Sequence, residues 1–136
     1  SAGSTFGIPA AKLGLAYAAS GTRRLVDIVG PAYAKEIFFT ARRFSHDEAQ
    51  EMGLINRVFA RDVLEAETRA TCATIADNAP LTVMTAKKII DETLKAPENF
   101  DAAFCDQLIE RCFHSEDYAE GRTAFMEKRK AVFKGR

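Results

Sequence analysis

Ser4 to Leu25 reads STFGIPAAKLGLAYAASGTRRL, and the interpretation of the fold turns on this stretch. Thr5–Ile8 is a short extended run that ends at Pro9. Proline has no N–H to give to a sheet ladder, so a strand must stop or lie at an edge there. A loop of small residues around Gly14 is expected next, followed by a helix that Ser20 caps and that carries Arg23 and Arg24 in its first turn. Strand, tight loop and helix start in that order turn free backbone N–H groups toward a ligand or a packed neighbour.

Beyond this stretch, helix signals dominate. Leu25, Val26 and Val29 share one side of the first helix, Gly30–Pro31 punctuates it, and Tyr33–Thr40 continues as a second helix. Ser45–His46–Asp47–Glu48 has the S-x-x-E pattern of a capping box, opening a short helix that Gly53 stops. Leu54–Ala60 reads as a short strand or an extended connection. Asp62 and Glu65 open a helix with the stripe Leu64, Thr68, Cys72, Ile75 and Ala79. After Pro80, Val83, Ala86, Ile90 and Leu94 give the stripe of the next. Phe100, Phe104, Leu108 and Cys112 give another, and Ser115 caps the last, which carries Tyr118, Phe125 and Met126.

One or two strands among six or seven helices is an unusual set for a self-contained fold. The opening strand has no evident partner, and an isolated strand leaves its backbone groups unpaired. The expectation is a chain that starts partway through a larger fold.

Composition narrows the function classes. The 136 residues carry 19 Lys+Arg against 19 Asp+Glu, a formal net charge of zero, and 47% of them are hydrophobic. A general binder of nucleic acid is usually basic, so the Lys128–Arg136 tail is weak support for one. No apolar run reaches the length of a membrane span, and the first residues do not read as a signal peptide. Three cysteines, Cys72, Cys105 and Cys112, fit reduced thiols in a cytoplasmic setting. His46 and His114 stand outside any Cys/His cluster, so no zinc site is expected.

Four segments in one order, FGIPAAKLGL, SGTRRL, AKEIFFTARRFSHDEAQEMGLINRVF and AFMEKRKAVF, resemble the C-terminal half of the enoyl-CoA hydratase/isomerase (crotonase) superfamily. The resemblance implies an α/β crotonase-like spiral in the parent, of which this chain is a mostly α-helical part with one or two short strands. Residues 1–60 would end the crotonase core, and residues 61–136 would form the helical oligomerisation and CoA-edge region.

What the resemblance implies for chemistry is an enzyme of fatty-acid metabolism, a hydratase-like lyase or an isomerase. It would act on acyl-CoA thioesters by stabilising an enolate in an oxyanion hole. The donors of that hole and one of two hydratase glutamates belong to the missing N-terminal half, in the same chain or another. The second glutamate follows the Pro of the FGIPAAKLG segment, and here Ala10 stands there. A methyl group moves no proton, so no catalytic side chain is assigned. Ala10 reads both as a packing residue in a tight loop and as a mark of altered chemistry.

Ala18 matches a position whose backbone N–H meets the catalytic water, and read by itself it is a plain loop residue. Pro9, Ala10 and Leu13 are the expected substrate-binding residues, and Leu13 and Leu15 can line an acyl pocket or equally belong to a core. Ser20–Arg23 fits either an anion site or an ordinary cap. Phe125 and Lys128 match the aromatic and cationic residues that meet the adenine and phosphates of CoA, a contact often made from a neighbouring subunit. Read alone, that charge run is a solvated helix face. The substrate carries its own CoA, so no separate cofactor and no metal are expected, and the partners implied are a homotrimer or a dimer of trimers. The rival reading is a non-catalytic assembly or binding module built on the same scaffold. The chain by itself is expected not to turn over substrate.

Overall fold

The computed structural model describes residues 1–136, and helix dominates them. The chain divides into two compact units, Ser1–Glu67 and Thr68–Arg136. No helix is long and apolar enough to cross a membrane.

In the first unit, β1 (Thr5–Phe6) pairs antiparallel with β2 (Phe44–Ser45), Thr5 opposite Ser45 and Phe6 opposite Phe44. This corrects the expectation of an unpartnered opening strand. Its partner escapes a sequence reading because two residues between Arg43 and a capping box carry no strand periodicity. The strand is also shorter than Thr5–Ile8, ending before Gly7.

Pro9 is the N-cap of a single helical turn, α1 (Ala10–Leu13), where a loop was expected. Proline suits the position because it has no N–H to leave unsatisfied, and its carbonyl accepts from Lys12 and Leu13. Gly14 ends the turn in the left-handed region, at φ 67°.

The long helix α2 (Ala19–Thr40) starts from Ala18, not Ser20. Ala18 is extended at ψ 145°, and its carbonyl accepts the N–H groups of Gly21 and Thr22. The backbone makes this start without a side-chain cap, which is why the better capping residue two positions later is bypassed. Gly30, at φ 74° and ψ 167°, breaks α2 before Pro31, so the two expected helices appear as two arms of a kinked one.

The core of this unit gathers Val29, Ala34 and Ile37 from α2 with Phe44 and Met52. Ile8, Leu25, Val26 and Leu54 pack against it. Arg42 covers the Phe44 ring at 3.7 Å from its centroid while bonding Glu36 and Glu48, each at 2.7 Å. The helix α3 (His46–Glu51) has the expected capping box: Ser45 Oγ accepts the Glu48 N–H at 3.2 Å, and Glu48 Oε2 accepts the Ser45 N–H at 2.7 Å. Leu54–Ala60 forms no strand: Leu54 and Ile55 bend back to give their N–H groups to the Ala49 carbonyl, and further on the Phe59 carbonyl accepts the Ala2 N–H.

The helix α4 (Leu64–Ala76) leads into the second unit, and none of its residues is buried, those of the expected stripe included. Then come α5 (Pro80–Thr93), a 3-10 turn at Pro97–Asn99, α6 (Ala102–Phe113) and α7 (Glu116–Met126). On α5 the face turned inward carries Leu81, Thr85 and Glu92. The expected stripe Val83, Ala86, Ile90 and Leu94 is exposed. The inward face is thus the more polar of the two, and its polar side chains have partners. Thr85 Oγ1 lies 3.2 Å from Cys112 Sγ on α6, and Glu92 takes an ion pair from Lys95 and the N–H of Asp101.

On α6, Cys105 and Leu108 are buried and Phe104 and Cys112 half-buried, as most of the predicted stripe requires, but Phe100 lies before the helix and is exposed. Ser115 caps α7 by accepting the Tyr118 N–H at 3.0 Å, as its position foretells.

Candidate functional site

The residues singled out by sequence fall in two places, one in each unit. The first is a groove of about 420 Å³ where α1 meets the kinked α2. Ala10, the first residue of α1, is 4% exposed and forms part of its wall. Leu15, Ala16, Tyr17, Val26, Phe38 and Phe39 supply most of the remaining surface, and Tyr17 meets Phe38 edge to face at 5.6 Å. Thr22 and Lys35 are the polar side chains among its lining. No Asp or Glu lines it, and the first turn of α2 carries none. Such a groove accepts an apolar chain but offers no carboxylate to exchange a proton.

The other expected residues of this region take different places. Pro9 caps α1 and borders a separate, more polar recess with Lys12, Arg42 and Arg43. Leu13 is 65% exposed and lies outside the groove, whereas Leu15, given less weight, lines it. Ala18 is spent on starting α2. Arg23 lies 3.8 Å from Asp27 one turn on, an exposed pair of the kind that contributes little.

The second place is the end of α7. Phe125 is 82% exposed and lines an apolar groove of about 830 Å³ with Phe113, Tyr118, Met126 and Phe133. Two residues past the helix, Lys128 adopts φ 53°, a left-handed conformation that costs a non-glycine residue energy. Its N–H returns to the Phe125 carbonyl at 3.2 Å, and the Arg129 N–H to that of Ala124 at 3.0 Å, closing the helix end.

The three consecutive cations here differ. Arg129 reaches Glu120 through two bonds of 2.7 and 2.9 Å and Glu127 at 2.6 Å. Lys130 pairs with Asp77 at 2.7 Å. Lys128 alone of the three has no carboxylate partner. The Arg129 guanidinium, aided by the Val132 N–H, holds the Glu120 carboxyl at a pKa of about 2, and Glu120 in turn raises Arg129.

Beyond the turn, the tail folds back on α7. Asp117, 3% exposed, accepts the N–H of Lys134 at 2.6 Å with Oδ1 and that of Gly135 at 2.8 Å with Oδ2, and donates its own N–H to the Arg136 carbonyl at 3.1 Å. Asp117 and Glu120 were not singled out by sequence. The backbone N–H groups that their carboxylates hold lie 12 to 18 residues away, a spacing that no local motif encodes.

All three cysteines are free. Burial, followed by the nearby charge of Glu92, pushes the Cys105 thiol up, away from thiolate chemistry. No cluster of three or more His, Cys, Asp or Glu side chains is placed to hold a metal ion.

The family model for enoyl-CoA hydratase/isomerase matches residues 1–136. The chain is 35% identical over 130 residues to the short-chain-enoyl-CoA hydratase of Clostridium acetobutylicum, covering 96% of this chain and 50% of that protein. It is 34% identical over 136 residues to the carnitinyl-CoA dehydratase of Salmonella typhi, covering 97% and 52%. Among solved structures, an enoyl-CoA hydratase/carnithine racemase from Magnetospirillum magneticum superposes with a TM-score of 0.86 at 36% identity, over 97% of this chain and 49% of the other. The chain thus spans about half the length of the relatives it matches.

Proposed function

We propose, of a chain that belongs to the enoyl-CoA hydratase/isomerase family, that it supplies the acyl-pocket wall and the coenzyme edge of an enzyme acting on acyl-CoA thioesters. The observation that carries this reading is the apolar groove at Ala10, free of carboxylates, in a crotonase-type chain. It suits an acyl chain, and it lacks the second of the two carboxylates that a standard hydratase uses.

Each residue has a role in this reading. Ala10 packs the groove wall at the position of the missing glutamate. Pro9 sets the turn that brings it there, Leu15 lines the groove, and Leu13 flanks it. The Ala18 peptide offers a backbone contact to water or substrate. The oxyanion donors come from the N-terminal half, in the same chain or another, and stabilise the enolate as charge collects on the thioester oxygen. Without a carboxylate at Ala10, the proton transfers rest on groups of that other half, or the reaction is an isomerisation or another enolate chemistry.

At the other place, Phe125 presents an aromatic face suited to the adenine of CoA, and the Lys128 ammonium suits its phosphates. Lys128 is the unpaired cation of its run, and an ammonium with no carboxylate partner favours a ligand role over a solvated face. CoA arrives on the substrate, and no further cofactor or metal is invoked. The assembly is a homotrimer or a dimer of trimers in the cytoplasm, without nucleic acid or membrane as partner. The exposed apolar face Val83, Ile90 and Leu94 suits burial between subunits.

Two measurements test the reading. Titration of the chain with CoA should give saturable binding that Lys128→Ala weakens at least tenfold, and crotonyl-CoA should not be hydrated by the chain alone. Normal hydration by the isolated chain would refute it. No CoA binding, together with stable trimers, would favour the second reading, a non-catalytic assembly module, which the absent carboxylate also suits.

A further inference from the structure

We propose that Glu120 is a positioning residue for the coenzyme edge: it locks the reversal at the end of α7 and thereby leaves the Lys128 ammonium unpaired, three residues after Phe125. The coenzyme half of this inference rests on the reading of Lys128 given above.

The geometry has three parts. Lys128 occupies left-handed backbone at φ 53°, which an L-residue adopts only where its surroundings compel it. The backbone bonds of Lys128 and Arg129 to Phe125 and Ala124 close the helix end in this state, and Arg129 adds a side-chain lock, its guanidinium meeting both oxygens of Glu120 at 2.7 and 2.9 Å. A two-bonded guanidinium–carboxylate contact sets direction as well as distance, so it restricts where the backbone of residue 129 can lie. Glu120 Oε1 also accepts the Val132 N–H at 2.9 Å. One carboxylate on α7 thus grips the chain on the far side of Lys128 at two points.

The same grip determines which cation is available. Arg129 is taken up by Glu120 and Glu127, and Lys130 by Asp77. If Glu120 let go, Arg129 and Lys128 would be free to exchange carboxylates, and the turn could relax into ordinary backbone. Asp117 secures the last residues through Lys134 and Gly135, so the tail itself stays docked when only the Glu120 contact is cut. Glu120 therefore acts on phosphate binding through Lys128 and not by touching the ligand.

The test uses the unaltered chain, Glu120→Gln, Lys128→Ala and the double variant, with CoA as the probe. Two readouts are taken on each: CoA affinity by calorimetry, and the backbone state of Lys128 by NMR, where left-handed geometry gives a strong intraresidue amide-to-Hα cross-peak. Glu120→Gln should erase that cross-peak and weaken CoA binding by about tenfold, the size expected when a charge-assisted contact is lost. In the Lys128→Ala background the same change should have no further effect on affinity.

A retained cross-peak in Glu120→Gln overturns the proposal. So does an affinity loss that persists undiminished when Lys128 is already Ala, since Glu120 would then act by another route. If the unaltered chain fails to bind CoA at all, the coenzyme reading of Lys128 falls, and the coenzyme half of the inference with it. The cross-peak still decides whether Glu120 sets the turn.

Discussion

Gly7 passes the carbonyl oxygen of Arg42 so closely that a Cβ on Gly7 would lie 2.8 Å from it. The contact joins the end of β1 to the segment leading into β2, and it is backbone on both sides, so neither partner can swing away. Gly7→Ala should therefore force the pair apart and cost about 1–3 kcal/mol, the usual range for inserting a methyl group where there is no room. Gly21, inside α2, is the opposite case, because a Cβ there would meet nothing within 4 Å. There Gly21→Ala should stabilise by about 0.5–1 kcal/mol, because it restricts the unfolded chain without a clash. Urea unfolding of the two variants checks both signs, and a neutral Gly7→Ala would mean that the two-strand contact is looser than described.

Acid should unfasten the turn at Glu120. The folded-state pKa of this carboxyl, about 2, lies below the ordinary value of 4.5. A depressed carboxylate stabilises the fold above its unfolded pKa, and that contribution is lost as pH falls through the folded pKa. The window is thus about pH 4.5 down to pH 2. Glu48 moves in the same direction, held down first by the Ser45 N–H and then by Arg42, so the whole-chain acid curve contains both groups. The difference between the unaltered chain and Glu120→Gln isolates one of them. Thermal midpoints measured from about pH 6 to pH 2 should converge for the two proteins toward the acid end; parallel curves would contradict the assignment.

Local signals were legible in the sequence, and contacts between distant residues were not. The Ser45–Glu48 box and the Ser115 cap are complete within four residues, so their motifs describe them fully. Gly30–Pro31 marks the kink for the same reason. The pairing of Thr5 with Ser45 spans forty residues and rests on two-residue strands, too short for alternation to show. On α5 the periodicity was real but ambiguous. Val83, Ile90 and Leu94 form the more apolar stripe, yet the face with Leu81, Thr85 and Glu92 turns inward, where Thr85 meets α6. At the candidate site, the aligned motifs singled out Ala10 and Phe125, and each lines a groove. Glu120 and Asp117 had no motif to announce them, since what they hold is the backbone of the tail.

The most direct probe of the altered chemistry is to put a carboxylate back. Ala10 is almost fully buried in the groove wall, so Glu at this position must extend its side chain into the groove or be trapped without solvent. Trapping would be severely destabilising, whereas extension brings the carboxyl to where an acyl group would lie. Its pKa there should be raised, because an apolar lining disfavours the charged form. In a protein that also carries the N-terminal half, Ala10→Glu should increase crotonyl-CoA hydration by at least about a hundredfold, the low end of what a placed acid–base group supplies. The gain should appear along a pH profile whose carboxyl limb lies above the ordinary range, and CoA binding through Phe125 and Lys128 should be unchanged. A variant that folds and binds CoA yet gains no hydration would show that the groove beside Ala10 is not where the thioester reacts.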